Sequence, residues 1–438
     1  MQIPPELKEI SKRDLIRLNS SKDELILKLQ NKIEELERRL MKYENSNVPP
    51  SQNNRKYPKR EKSNNPVGAP KGHEGITRPL AKPNRFIKLE QKKCPDCNKQ
   101  LGRPVSIQTR IIEDIPDPQP LKITQFEIPH YHCNYCNKEI IPEHPDLPEQ
   151  GRFGPNLLAE VTLLKYEDRL PDRKITNVLN RRHSLDITHA TVINILSNVA
   201  AEIQPIYGAI KEEIKKSQQV NADETGNKIN GKNVWSWVFV TPSSVLHLIS
   251  DTRGQKTIKE ALGENYKGKL GCDGWTSYPK CVKILQRCWA HLLREAKWYA
   301  EKYEGQSRLI YKWLCEIFVR VRKAKVYTKT GLTRTYNWGI KQMQRCINIC
   351  KGYTELRKFA NKIENGLEHW FTCLLHPEIE PTNNKAERAI REIVIQRKIS
   401  KLRTEKGAMV MGIIMSVLAT WRLRGLNTYS LLRQTLSS

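Results

Sequence analysis

The sequence predicts a multidomain α+β chain, and three observations carry that expectation. A helical stretch free of Gly and Pro near the N-terminus gives way to a Pro- and Lys-rich stretch and then to two paired CxxC motifs. A helix-periodic segment follows. From residue 216 the apolar period switches towards two before helices return. At 438 residues the chain is long enough for several cores. Its 75 Lys+Arg against 47 Asp+Glu leave a formal charge of +28. An excess of that size repels itself in a compact state, so a polyanion, nucleic acid above all, is the natural partner, although basic secreted and ribosomal proteins share the trait.

Residues 22–46 form the first element, a helical, coiled-coil segment closing the region 1–46. Ile26, Leu29, Ile33, Leu36, Leu40 and Tyr43 alternate spacings of three and four, which is an a/d seam. Lys32 with Glu37 and Arg39 with Glu44 then take g and e positions of opposite sign, so a homodimer through residues 22–46 is expected; a lone amphipathic helix is the alternative. Residues 47–90 read as a flexible basic linker with too little apolar surface for a core.

The segment 91–145 reads as a zinc ribbon. Cys94, Cys97, Cys133 and Cys136 supply four soft thiolates at hairpin spacing, the donor set of one structural Zn²⁺. His130 and His132 flank the second motif and are alternative ligands. With eleven Cys and no apolar leader between Met1 and Asp14, metal ligation is expected over disulfides, in a reducing, cytoplasmic compartment. The longest apolar run, Ala408 to Trp421, falls short of the ~20 residues of a spanning helix and carries Gly412, Ser416 and Thr420. It reads as a buried core helix, with no membrane partner.

Residues 151–215 read as helices over Pro155–Glu167, Pro171–Arg182 and Thr188–Glu202, with Thr188 as an N-cap. The short connection "HSLDI" gives a helix-turn-helix outline that would present Thr188, His189 and Thr191 to a DNA groove, although many helical hairpins bind nothing.

Within 216–438, "QQVNADETG" reads as a strand running into an acidic end, with "NVWSWVFVTP" and "SVLHLISDTRG" as the next two strands. "QKTIKEAL" is a short helix, and "GKLGCDGWTSY" a strand ending at Asp273. "CVKILQRCWAHLLREAKWYA" reads as a strand or turn leading into a long helix. That order is the opening of a ribonuclease-H-like α/β fold. Residues 295–375 look like a helical insertion, after which a helix begins near Asn384.

Nuclease-type phosphoryl transfer needs hard oxygen ligands for two Mg²⁺ ions, and carboxylates at adjacent strand ends completed by one from a helix meet that need. Asp223, Asp273 and Glu387 are so placed if the fold expectation holds. Glu224 competes with Asp223, Asp273-Gly274 is also a common turn pair, and Glu387 is also a capping-box position. His291 is a candidate for orienting water or contacting phosphate. Lys385, Arg388, Arg391, Arg397 and Lys398 are candidate phosphate contacts. Trp275 is a candidate stacking platform for an unpaired base, whereas Trp235 and Trp237 read as packing.

Together "NADETG", "CDGWTSY", "CWAHLLRE" and "NNKAERAIRE" resemble the DDE transposases of the insertion sequence 66 family, over nearly the whole chain. The resemblance implies a cut-and-join enzyme acting on double-stranded DNA at terminal inverted repeats, with the triad Asp223, Asp273 and Glu387 and Mg²⁺ as metal. It matches the family's C-x-A-H helix to Cys288–His291 and its NN-x-x-ER motif to Asn383, Asn384, Glu387 and Arg388. Accessory proteins of the same element are possible partners. After the triad Glu, "RKISKLRTEKGAMVMG" keeps Arg397 and Lys398 but lacks an expected aromatic near Lys401 to Arg403. A nuclease without strand transfer, or a DNA-binding regulator that has lost catalysis, are the competing readings.

Overall fold

A computed structural model describes residues 22–33, 35–36, 82–144, 147, 151–303, 305–324 and 328–437. Helix α1 is seen over 22–33 and 35–36, with Ile26, Leu29, Ile33 and Leu36 exposed along it. The seam beyond it (Leu40 and Tyr43, and the charges of Glu37, Arg39 and Glu44) and linker residues 47–81 lie outside the described residues. Residues 82–130 hold no helix or strand beyond a turn over 95–97 closed by the bridge of Lys93 with Gln100, and lead into a short hairpin, β1 (Tyr131–Cys133) and β2 (Lys138–Ile140).

A five-stranded sheet follows four helices: α2 (Pro155–Tyr166), α3 (Asp172–His183), α4 (His189–Glu202) and α5 (Gln204–Lys216). Thr188 caps α4 as its sequence predicts, accepting from the Thr191 N–H at 3.3 Å. The strands are β3 (Gln219–Ile229), β4 (Lys232–Val240), β5 (Val245–Ser250), β6 (Lys269–Cys272) and β7 (Ile284–Arg287), with α6 (Gln255–Leu262) between β5 and β6. Their order across the sheet is β5-β4-β3-β6-β7. The first three form an antiparallel meander, and β6 and β7 run parallel to β3.

Alternation along β3 and β4 separates two faces. Val220, Ala222, Trp237 and Phe239 join one large core with α2–α6, so the helices before the sheet share its apolar interior. Val238 and Val240 face the opposite way and pack with Ala386 and Ile390 of α12 (Asn384–Ile399).

The helix α13 (Glu405–Leu423) is long and apolar enough for a membrane span, yet most of it is buried in the large core, as expected of Ala408–Trp421. It lies along the free edge of β5. There the Ser416 hydroxyl accepts from the His247 N–H at 2.8 Å and that of Thr420 from the Val245 N–H at 3.0 Å. A Cβ on Gly412 would come 3.3 Å from the His247 carbonyl. The small and hydroxylated residues thus let the helix lie close and satisfy an edge strand that would otherwise expose unpaired donors. The last helix is α14 (Thr428–Thr435).

Between β7 and α12 the chain builds a second core of its own from α7 (Trp289–Lys302), α8 (Gln306–Lys323), α9 (Lys329–Lys351), α10 (Arg357–Glu364) and α11 (Thr372–Leu375). Trp289, Trp370 and Phe371 meet edge-to-face at its centre. That second core begins with α7, a few residues earlier than the sequence suggests, because Trp289 and Leu292 pack into it.

Candidate active site

Asp223, Asp273 and Glu387 lie where β3 outruns β6, near enough for the charges of Asp273 and Glu387 to act on Asp223, though their oxygens do not form a set within 4.8 Å. Asn221 and Gly271 are the last pair of the parallel register, and Asp223 and Asp273 each follow two residues further on, near enough for the Asp273 charge to act on Asp223. The strand does not end at the acidic pair as expected: β3 continues to Ile229 against β4, and it is β6 that stops, at Cys272. Asp223 lies opposite Val238 and shares its face of the sheet, the face that α12 covers. Odd residues of β3 hold that helix in sequence. The Asn221 carboxamide donates to Asn383 Oδ1 at 3.0 Å, and Arg397 near the end of α12 donates to Thr225 Oγ1 at 2.9 Å and to the Gly226 carbonyl.

Asn383 is the latch that sets the register of α12. It is buried, and its Nδ2 donates to the Ala222 carbonyl at 2.7 Å. Its backbone N–H donates to Cys288 Sγ at 3.2 Å. Its own carbonyl accepts from the Glu387 N–H at 3.0 Å, which places Glu387 in the first helical turn. Because the Asn383 side chain points into β3, it does not cap the helix. Gly271 is needed beside it, since a Cβ there would come 2.5 Å from Asn221 Nδ2.

Burial, and then the neighbouring charges of Glu224, Asp273 and Glu387, hold the Asp223 carboxyl well above the usual carboxylate range. Mutual repulsion of this kind is what a bound cation reverses, so the donor set fits a hard divalent metal. Glu224 sits on the other face and is occupied. Arg253 donates to its Oε1 from Nε at 2.9 Å and Nη2 at 2.6 Å, and Tyr278 donates its hydroxyl to Oε2 at 2.5 Å. Burial and Asp273 raise its pKa to about 6 against those partners. Arg253 in turn lies over the rings of Trp275, at 3.7 Å, and Trp235, at 4.6 Å. One face of Trp275 is therefore covered and its indole N–H donates to the Arg253 carbonyl at 3.0 Å, while its backbone N–H donates to Asp273 Oδ1 at 2.8 Å and orients that carboxylate.

The helix α7 delivers the remaining groups. His291 Nδ1 lies 3.4 Å from Glu387 Oε1, Cys288 Sγ lies 3.8 Å from the same oxygen, and Arg294 lies 3.9 Å from Oε2. Burial lowers the His291 pKa, against the opposing pull of Glu387. Arg388 and Arg391 are exposed on α12, and Lys385 pairs with Glu380 at 3.4 Å. Thr188 and His189 are exposed at the start of α4, beside the half-buried Thr191. Asn221, Arg253 and the β3-gripping role of Arg397 escape sequence reasoning, because each partner lies far away along the chain.

The two CxxC motifs fold alike. Asn98 and Asn137, each just after the second Cys, take positive φ of 58° and 52°. In each turn, backbone N–H groups three and two positions on, Cys97 and Asp96 or Cys136 and Tyr135, lower the pKa of the first thiol, Cys94 or Cys133. That peptide geometry stabilises a thiolate and fits a thiophilic metal. The two turns stand apart, however: among the described residues, the side chains grouped within 4.8 Å as a set of three or more metal ligands are Cys288, His291 and Glu387. His130 is engaged with Glu139 at 2.7 Å.

Residues 150–410, more than half of the chain, match the family model of the IS66 transposases. The chain belongs to that family. An uncharacterized protein of Sinorhizobium fredii, y4qI, is 25% identical over 68% of this chain and 61% of its own length. The chain thus spans about three fifths of that relative.

Proposed function

We propose that this IS66-family protein is a DNA transposase that binds the terminal inverted repeats of its element, cleaves the ends and joins them to target DNA. The observation that carries the reading is the neighbourhood of Asp223, Asp273 and Glu387, in which burial first and then the adjoining charges raise the Asp223 pKa. The sheet order, with β4 alone antiparallel to β3, supports a ribonuclease-H-like core around that triad. Two Mg²⁺ ions, when bound, would supply charge stabilisation to both the attacking and the leaving oxygen.

The protein's own groups do the rest. Asp223, Asp273 and Glu387 hold the metals. The Trp275 backbone N–H and the Asn383 latch keep the second and third carboxylates aimed at the first. Neutral His291 accepts or orients a proton at the scissile phosphate. Exposed Arg388 and Arg391, with Lys385, grip phosphates beside the site. The α4 N-terminus with Thr188 and Thr191 reads a groove, and Trp275 offers a base the part of its ring that Arg253 and the core leave exposed. Cys94, Cys97, Cys133 and Cys136 hold one structural Zn²⁺ once the two turns close on it. Exposed α1 pairs with a second copy, and the enzyme works in the cytoplasm, with or without accessory proteins of its element.

The test is incubation of the purified protein with Mg²⁺ and a labelled duplex carrying the terminal repeat, beside Asp273→Ala. Cleavage at the repeat boundary that is lost in the variant, followed by joined products, is the expected result. Cleavage without joining makes the protein a nuclease, and binding without cleavage makes it a regulator.

A further inference from the structure

Beside the triad lies a second constellation whose chemistry differs from it. Cys288 precedes the first turn of α7 and His291 stands within that turn, so the C-x-x-H spacing puts both side chains on one side of the helix start. Glu387 reaches them from α12. All three ligand atoms lie within 4.8 Å of one another. His291 Nδ1 is buried and has no hydrogen-bond partner, which is costly unless something else occupies it. Arg294 is held by the other carboxylate oxygen, Oε2, which leaves Oε1 facing Cys288 and His291.

The spacing matches a tetrahedral ion. With zinc bond lengths of roughly 2.0–2.3 Å, the edges of such a site are about 3.3 Å between nitrogen and oxygen and about 3.6 Å between sulfur and oxygen. The observed separations are 3.4 Å and 3.8 Å. One thiolate and one carboxylate balance a divalent charge, and the imidazole adds a neutral donor. Magnesium avoids such a set, because a thiolate and an imidazole are poor ligands for a hard cation.

We propose that Cys288 Sγ, His291 Nδ1 and Glu387 Oε1 form a three-ligand site for a thiophilic divalent cation of the zinc class, with a fourth position open to water. Binding releases the Cys288 thiol proton to solvent, so affinity rises with pH. A cation held there takes Glu387 Oε1 as a ligand in the position it already occupies beside Cys288 and His291. Zinc-class ions therefore oppose Mg²⁺ at the triad and hold the enzyme off. The site shares Glu387 with the transposase reading, but its ligand set stands whether or not that reading does.

The test is Co²⁺ titration of the full-length protein beside Cys288→Ser and His291→Ala, with circular dichroism to confirm that each is folded. The four ribbon cysteines are common to all three proteins, so difference spectra isolate this site. The expected result is one equivalent fewer in Cys288→Ser, with loss of a near-ultraviolet thiolate-to-cobalt band and of visible tetrahedral absorbance. In His291→Ala, affinity at that equivalent falls at least tenfold. Equal stoichiometry and superimposable spectra in wild type and both variants overturn the proposal. If Cys288→Ser fails to fold, the His291→Ala comparison decides it alone: unchanged affinity and spectra reject the site. Mg²⁺-dependent cleavage is scored separately, so a protein that shows the band but never cuts DNA fails the transposase reading and not this one.

Discussion

Replacing Asn383 by Ala tests the claim that a single carboxamide aligns the third carboxylate with the other two. The side chain is buried and makes two hydrogen bonds, to the Ala222 carbonyl at 2.7 Å and from the Asn221 carboxamide at 3.0 Å. Each bond contributes about 1 kcal/mol net, and a buried partner left unpaired costs about 1–3 kcal/mol more. Asn383→Ala should therefore lose roughly 2–4 kcal/mol of unfolding free energy, read from the denaturant midpoint at unchanged slope. Its effect on function should exceed its effect on folding. A displacement of about 1 Å in a catalytic group costs on the order of 10²-fold in rate, so turnover should fall by that factor at temperatures where the variant is folded. The Mg²⁺ concentration for half-maximal cleavage should rise in parallel, because Glu387 no longer faces Asp223. Gly271→Ala should reproduce the Mg²⁺ defect with Asn383 itself intact, since its Cβ would intrude 2.5 Å from Asn221 Nδ2 and displace the carboxamide that donates to the latch. A variant with lowered stability but wild-type Mg²⁺ dependence would reduce Asn383 to a packing residue. Unchanged stability together with unchanged cleavage would refute the latch outright.

Three further outcomes are expected. His247 is fully buried with both ring nitrogens unpartnered, and burial pushes its pKa down to about 3 from 6.5. The unfolded chain therefore takes up the proton first: stability is complete above pH 6.5 and is lost as pH falls towards 3, by roughly 2–3 kcal/mol near pH 4.5. His247→Leu should flatten that part of the profile, and a parallel decline in both proteins would reject the assignment. Arg253→Ala strips a buried carboxylate of its partner and uncovers two indole rings, so it should cost about 3–5 kcal/mol in chemical denaturation; a loss under 1 kcal/mol, near the worth of an exposed pair, would contradict the geometry. Finally, Arg388→Ala with Arg391→Ala should flatten the log–log salt dependence of DNA binding by about 2, while an unchanged slope would place the duplex elsewhere.

Much of the element order was legible because it rests on local periodicity. The strands β4 and β5, the helix α6 over "QKTIKEAL", and α4 behind its Thr188 cap fall where alternation, turn residues and capping place them. The three candidate carboxylates were legible as residue types, although Asp223 falls inside β3 rather than at its end, and the residue pattern left the choice between Asp223 and Glu224 open. Neighbouring residues on a strand point to opposite faces, and only the register with Val238 and Trp237 shows which face α12 covers.

What this sequence determined by itself is the chain's chemistry and its local geometry: a strongly basic charge, two thiolate turns, a helix periodicity, a strand periodicity and the family motifs. Only the tertiary structure decided what meets what. It joined Asn221 to Asn383, Glu224 to Arg253 and Tyr278, Ser416 and Thr420 to the edge of β5, and Cys288 and His291 to Glu387. Most of these contacts span many tens of residues and leave no periodic trace, because they arise when separate amphipathic elements bury their apolar faces and bring polar groups from distant segments within bonding distance.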